Sequence, residues 1–193
     1  LSFSKPNTNQ LYPINVLQII DSAIRLAESE YSENKKYDFK RVRLIREMDR
    51  DIGNILASKS LLEQVLLNLF TNAMQAMSSN IYQEDPQIII RLNRDGDDAL
   101  IEVIDNGPGM DEMVQRRAFE PFFTTKDENA GTGLGLSLSY YIVTEQLNGS
   151  IELDSALGRG TRFIIKIPLC ADYTEDEVSQ EISKFIDEKT SNS

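Results

Sequence analysis

At 193 residues and 40% hydrophobic content the chain carries enough apolar material for one globular core with tails, and its net charge of −11 argues against a nucleic acid or an anionic membrane as partner. No apolar run reaches the roughly eighteen residues of a membrane span and no signal peptide is legible, so a soluble, cytoplasmic domain is expected. The one cysteine, Cys170, reads as a small apolar residue, which sets aside redox and thiolate-metal chemistry.

The elements follow from periodicity. Residues 14–27 (INVLQIIDSAIRLA) predict an amphipathic helix. A polar turn then leads to a strand from Phe39 to Met48, with Val42, Leu44 and Ile45 facing inward at least in part. Leu61, Leu62, Val65, Leu66, Leu69, Ala73, Met74 and Met77 form an apolar stripe at three- and four-residue spacing, a second helix that Ser58 or Ser60 caps. The runs Gln87 to Leu92 and Ala99 to Asp105 alternate as strands about a turn at Gly96, Asp97 and Asp98. A third helix runs from about Leu136 to Leu147, and Ile151 to Leu153 with Thr161 to Leu169 make a closing hairpin around Ala156 to Gly160. From Ala171 the chain turns acidic, with seven Asp or Glu against two Lys, which predicts a frayed helix or disorder. Val178, Ile182, Phe185 and Ile186 fall there at helical spacing, favouring a marginal exposed helix over a partner-docking or linker segment.

The chemistry sits in QVLLNLFTNAMQAM, IDNGPGM, FEPFFTTK and GTGLGLSLSYYIV, in that order. At about 100° per residue, Asn68 and Asn72 lie about 40° apart on their helix and Gln75 about 60° to the other side, so three amides share one face. Asn is a poor helix former, which leaves two readings: each amide satisfies a buried backbone group or water, or carbonyl oxygens are offered to a hard cation. Mg²⁺ held with nucleotide phosphates needs few protein ligands, so one amide suffices. Asp105 ends a strand where Asn106, Gly107, Pro108 and Gly109 break it open; a lone Asp-Asn-Gly is most often a turn, but the second glycine lets backbone approach a flat ligand. A carboxylate there accepts from an adenine amine and selects against bases lacking that donor. Lys126 to Gly133 reads as a mobile loop, after which Gly131, Gly133 and Gly135 place unpaired N–H groups at a helix start that favours phosphate. No Gly-Lys-Ser/Thr and no Rossmann pattern accompanies them.

Taken together, these motifs resemble the catalytic and ATP-binding domain of two-component sensor histidine kinases, within the gyrase, heat-shock chaperone, histidine kinase and MutL ATPase superfamily. The likeness covers about Leu11 to Leu169: an N box at Asn68 to Asn72, glycine boxes at Asp105 to Gly109 and Gly131 to Ser137, an F box at Phe119 to Phe123, and GRGTRF at 158–163 similar to the third glycine box. The resemblance implies a two-layer α/β (α+β) sandwich of Bergerat type, a mixed, mostly antiparallel sheet of about five strands backed by three helices, with ATP under a lid. It implies that Asn72 holds Mg²⁺, that Asn68 supports metal or phosphates, and that Asp105 reads adenine with Thr161 nearby. By the same resemblance Gly107, Gly109, Gly133 and Gly135 supply hinges and backbone contacts, Lys126 reaches a phosphate, and Gln75, Met110, Phe123, Gly131, Thr132, Leu134 and Leu136 line the nucleotide. Residues 1–10, with Phe3 and Pro6, resemble the junction from a dimerisation domain, 11–169 form the catalytic domain, and 170–193 the acidic tail.

Two departures bear on activity. ATP-hydrolysing superfamily members and related serine kinases carry a Glu one turn before the metal Asn, as base for water or hydroxyl, whereas this chain has Asn68. A neutral imidazole already offers a lone pair, so a histidine acceptor is favoured. Glu63 lies about half a revolution from Asn72 and is no substitute, although Glu120 or Asp111 remain open as loop-borne bases. Many histidine kinases also carry Lys or Arg near the third residue after the metal Asn, where this chain has Gln75; Lys126, Arg116 and Arg117 are the remaining cations, the two arginines favoured for a solvated helix face. No histidine occurs anywhere in the chain. The expected acceptor therefore lies on a helical dimerisation domain outside it, in a homodimeric parent that could be anchored in the inner membrane, with a response-regulator receiver domain as second partner. A superfamily ATPase or serine kinase, and a non-catalytic nucleotide-binding module, stay open as alternatives.

Overall fold

The structure, a computed structural model, describes residues 11–30, 39–79, 85–125 and 132–170. The expected junction at 1–10, the acidic tail from Ala171, Lys126 and Gly131 lie outside these residues. In chain order the elements are β1 (Tyr12–Asn15), α1 (Val16–Glu30), a 3-10 turn (Phe39–Arg41), β2 (Arg43–Met48), β3 (Asn54–Ala57), α2 (Lys59–Ser79), β4 (Gln87–Asp95) and β5 (Asp98–Asp105). There follow α3 (Glu112–Arg117), α4 (Gly135–Tyr141) continued by a π-helical turn (Ile142–Gln146), β6 (Ser150–Ala156) and β7 (Gly160–Cys170).

The strands make the mixed, mostly antiparallel sheet that was expected. Its order is β1-β3-β7-β5-β4-β2, with β6 also paired to β7. The β2–β4 pair is parallel and every other pair antiparallel. Sequence reading places about five strands; β1 and β3, four residues each, bring the sheet to seven. The first helix starts at Val16 rather than residue 14, because Pro13 and Ile14 pair in β1 and the Asn15 side chain accepts the Leu17 N–H at 2.9 Å. The strand expected from Phe39 begins at Arg43, after the 3-10 turn. The third helix starts as expected but widens at Ile142, where the Leu147 N–H reaches back to the Ile142 carbonyl at 3.1 Å.

Alternation along each strand divides the two faces of the sheet. Ile88, Ile90 and Leu92 of β4, Ala99, Ile101 and Val103 of β5, and Phe163, Ile165 and Ile167 of β7 are buried against the helices. Val16, Ile19, Ile20, Ala23 and Ile24 from α1 and the predicted stripe of α2 complete this core. The opposite face carries a row of charge, in which Glu102 is buried between Arg91 and Arg162, with Glu47 on the far side of Arg91.

Candidate functional site

Asp105 is the last residue of β5, opposite Thr161 of β7. Its position in the strand alternation puts it on the helix side, and it is 6% exposed with Thr161 5% exposed. Beyond it the chain leaves the sheet, and Asn106 fixes the departure: its side chain accepts the Gln87 N–H at 2.8 Å and donates to the Asp85 carbonyl at 2.8 Å. The loop then doubles back, so that the Gly107 N–H donates to Asp105 Oδ1 at 2.8 Å. A Cβ at Gly107 would lie 2.8 Å from that oxygen and 3.4 Å from Met77 Cγ of α2, so glycine is what brings this loop and the helix together over the carboxylate. Gly109, at φ +71°, lies so close to β6 that a Cβ would sit 1.9 Å from the Ala156 carbonyl oxygen. Pro108 accepts the Gly158 N–H at 2.7 Å, and Met110 donates to Ser155 Oγ at 2.9 Å. The first glycine loop is thereby sewn to the β6–β7 turn.

Burial pushes the Asp105 carboxyl up to about 6, against the N–H groups of Gly107 and Thr161, which hold it down. Those two backbone donors are its stabilising partners among the described residues. A carboxylate that accepts two hydrogen bonds has acceptor capacity left over.

Asn68 donates through Nδ2 to the Gly135 carbonyl at 3.2 Å and to Ser139 Oγ at 3.3 Å, while Ser139 donates to the same carbonyl at 2.9 Å. Both Asn68 donors are therefore directed at α4, and its carbonyl oxygen is the part left to face another group. Asn72 and Gln75 follow on α2, both half-buried. Among the described residues no cluster of three or more His, Cys, Asp or Glu stands ready for a metal. An amide-only donor set suits Mg²⁺ arriving on nucleotide phosphates and does not suit a resident, protein-held cation.

The F box braces the far side. Phe119 packs at a tilt against Tyr140 of α4 at 5.3 Å and edge-to-face against Phe163 of β7 at 6.5 Å between centroids. Phe122 takes a left-handed φ of +65° and donates its N–H to the Gly133 carbonyl at 3.0 Å, tying together the chain on either side of residues 126–131. Thr132 caps Leu134 weakly, its Oγ1 3.4 Å from the Leu134 N–H, and Leu134 and Leu136 open α4 with Gly135 between them. The two arginines take the expected solvated positions: Arg116 is paired with Glu112, and Arg117 with Glu120 at 2.8 Å while lying 4.2 Å over the Phe123 ring. Asp111 and Glu120, left open as bases, are both engaged, since Asp111 accepts the Val114 N–H at 2.8 Å as the cap of α3. Asn106, Ser139 and Ser155 carry structure in the site that sequence reading missed, because each has at least one partner remote in the chain: Gln87 and Asp85 for Asn106, Asn68 for Ser139 and Met110 for Ser155.

A carboxylate floor at a strand end, closed by glycine loops and faced by a helix of amides, places the molecule among nucleotide-binding α/β sandwiches. The family model for histidine kinase-, DNA gyrase B- and HSP90-like ATPases matches residues 57–171. The chain belongs to that family, and its domain is an ATP-binding one. It is 34% identical to the signal transduction histidine-protein kinase AtoS of Escherichia coli K12, over 88% of this chain and 26% of that protein. It is 32% identical to the C4-dicarboxylate transport sensor protein DctS of Rhodobacter capsulatus, over 86% of this chain and 24% of that one. The chain thus spans about a quarter of the length of these curated relatives. Among solved structures, the nucleotide-free catalytic domain of histidine kinase ThkA superposes with a TM-score of 0.67 at 28% identity, covering 82% of this chain and 95% of that one.

Proposed function

We propose that this domain binds Mg²⁺-ATP and transfers the γ-phosphoryl group to a histidine on a separate helical dimerisation domain, from which a response-regulator receiver domain takes it. The observation that carries the reading is Asp105, a buried carboxylate held, among the described residues, by backbone N–H groups and left with acceptor capacity at the mouth of the glycine loop. That chemistry matches the amine of adenine. Asn72 is the residue assigned to the metal, Asn68 to support of the phosphates through its carbonyl oxygen, and the backbone from Thr132 to Leu136 to the phosphate end. Mg²⁺, when bound, would neutralise the β- and γ-phosphate oxygens as charge develops on them. Lys126, outside the described residues, is the cation proposed to join it.

The acceptor assignment rests on how the candidate bases among the described residues are engaged. Asn68 stands where a water- or serine-activating carboxylate would sit, and its amide is engaged with α4. Asp111 caps a helix and Glu120 is paired with Arg117, which leaves an acceptor that needs no proton removed before attack. The 193 residues contain no histidine, so the imidazole comes from outside them.

Calorimetric titration with ATP and GTP analogues, with and without Mg²⁺, tests the binding half. Adenine-selective binding that strengthens with Mg²⁺ and is lost in Asp105→Asn is expected; affinity unchanged in that variant would remove Asp105 from the site. Addition of an isolated histidine-bearing helical domain and labelled ATP then tests transfer, where an acid-labile, base-stable phosphoryl bond is the expected product. Phosphate release into water without that bond would instead favour an ATPase.

A further inference from the structure

Ser155 belongs to no motif above, yet its hydroxyl joins the first glycine loop to two consecutive residues at the start of β7. Its Oγ lies 2.9 Å from the Met110 nitrogen, 2.8 Å from the Gly160 carbonyl oxygen and 3.1 Å from Thr161 Oγ1. The Met110 N–H can only donate, and the Gly160 carbonyl can only accept. A hydroxyl has one proton and two acceptor lone pairs. The serine proton therefore goes to Gly160, one lone pair takes the Met110 N–H, and the remaining lone pair faces Thr161. The Thr161 hydroxyl must spend its own proton on Ser155 to make that contact. Its lone pairs are then what it presents elsewhere.

The direction of this proton is held by the backbone. Gly160, at φ +82°, packs so tightly on β5 that a Cβ would lie 2.0 Å from the Asp105 carbonyl oxygen, so the carbonyl that captures the serine proton is fixed in place. Thr161 is directly across the strand pair from Asp105, and both are nearly fully buried.

We infer that Ser155 is a positioning residue for nucleobase selection, fixing the Thr161 hydroxyl as a hydrogen-bond acceptor beside the Asp105 carboxylate so that the site admits a 6-aminopurine and rejects a 6-oxopurine. The 6-amino group brings N–H donors to two acceptors. A 6-oxo group brings only lone pairs, and neither Asp105 in its ionised form nor Thr161 in this orientation has a proton for it. The inference rests on the adenine reading of Asp105 and goes beyond it by assigning the proton order that enforces selection.

The test is titration of the full chain with ADP and with IDP, which share the same phosphates and differ at the 6-position of the base and in the N1 proton that the 6-oxo form carries, in Mg²⁺ at pH 8, where Asp105 is ionised. Wild type is expected to prefer ADP. In Ser155→Ala the Thr161 hydroxyl is free to turn its proton toward a 6-oxo group, so the preference narrows by about tenfold. Ser155→Thr, which keeps the hydroxyl, restores it. Thr161→Val narrows the preference by itself, and adding Ser155→Ala to it changes nothing further, because the serine acts through the threonine. Equal weakening of both nucleotides in Ser155→Ala, with their ratio intact, would reduce Ser155 to a loop brace and overturn the inference. If Ser155→Ala does not fold, Thr161→Val decides: an unchanged ratio overturns the inference and a narrowed one sustains it. Absence of any ADP preference in wild type would overturn the adenine reading itself, an outcome distinct from a preference that persists through the variants.

Discussion

Asp105 ties stability and ligand binding to the same proton. Its ordinary value of 3.8 applies to the unfolded chain, and burial raises it to about 6 in the folded one, the N–H groups of Gly107 and Thr161 opposing. Between those values the folded state keeps a proton that the unfolded state has lost, so stability declines as pH rises through the window and the deficit is complete above about 6. Its size is about 2–3 kcal/mol at neutral pH. Asp105→Asn removes this titration: urea unfolding of wild type and variant at pH 4 and pH 7 is expected to show the variant relatively more stable at pH 7 by that amount. Parallel pH profiles would show that Asp105 ionises normally. Nucleotide binding runs the other way, since the base needs the ionised carboxylate. On the proposed adenine role, ADP affinity is expected to fall on acidification below about 6, toward a limit of about tenfold per pH unit. At Gly109 the constraint is steric. Gly109→Ala puts a Cβ 1.9 Å from the Ala156 carbonyl oxygen at a φ of +71°. A loss of about 2 kcal/mol or more, with the first glycine loop pushed off β6, is expected from unfolding and ADP titration together.

At the scale of elements, the two faces of the sheet do different work. The helix side holds the core and Asp105, while the opposite side holds Glu102, 2% exposed in its side chain between Arg91 and Arg162, which are 32% and 41% exposed. Removing a fully buried ionic partner costs about 3–5 kcal/mol, but water reaches both arginines here, so Glu102→Ala is expected to cost about 2 kcal/mol and Glu102→Gln less. ADP affinity should be unchanged in both, because residue 102 faces away from the site; a neutral Glu102→Ala in urea unfolding would show that the row is ornamental to stability. The elements that sequence periodicity delivers are the ones with enough length to display a period: α2 with its eight-residue apolar stripe from Leu61 to Met77, and the β4–β5 hairpin. The strands β1 and β3 have four residues each, and β3 meets β7 at only Asn54 and Ile55. They exist through tertiary pairing, which no local window contains. The site divides the same way. Asp105, Gly107 and Gly109 declare themselves as a strand breaking into glycines, whereas Ser155 acquires its meaning from Met110, 45 positions away. Asn68 was legible as an unusual helical amide, but the partner that occupies its donors, the start of α4, becomes visible only in the packed structure.

For the whole molecule, a net charge of −11 surrounds a site proposed for an anionic ligand, and the described cations nearest the F box, Arg116 and Arg117, are already paired with carboxylates. On the proposed reading, affinity leans on backbone N–H groups, on Lys126 and on the accompanying cation, which predicts a strong dependence on Mg²⁺. Mass action makes this measurable without turnover: a ligand that binds only the folded state adds about 2.7 kcal/mol at a hundred times its Kd. For a domain of this size that corresponds to a rise of about 5–10 °C in Tm. The expected series is a full shift with ADP and Mg²⁺, a smaller one with the same ADP in chelator, and no shift with Mg²⁺ alone, because no carboxylate cluster among the described residues holds a cation unaided. Asn72→Ala should retain the chelator-level shift and lose the increment that Mg²⁺ adds. Asp105→Asn should lose the shift under both conditions. If Asn72→Ala keeps the entire increment, the metal is held elsewhere, and Asn68 becomes the amide to test next, its carbonyl oxygen being the part of that side chain not committed to α4.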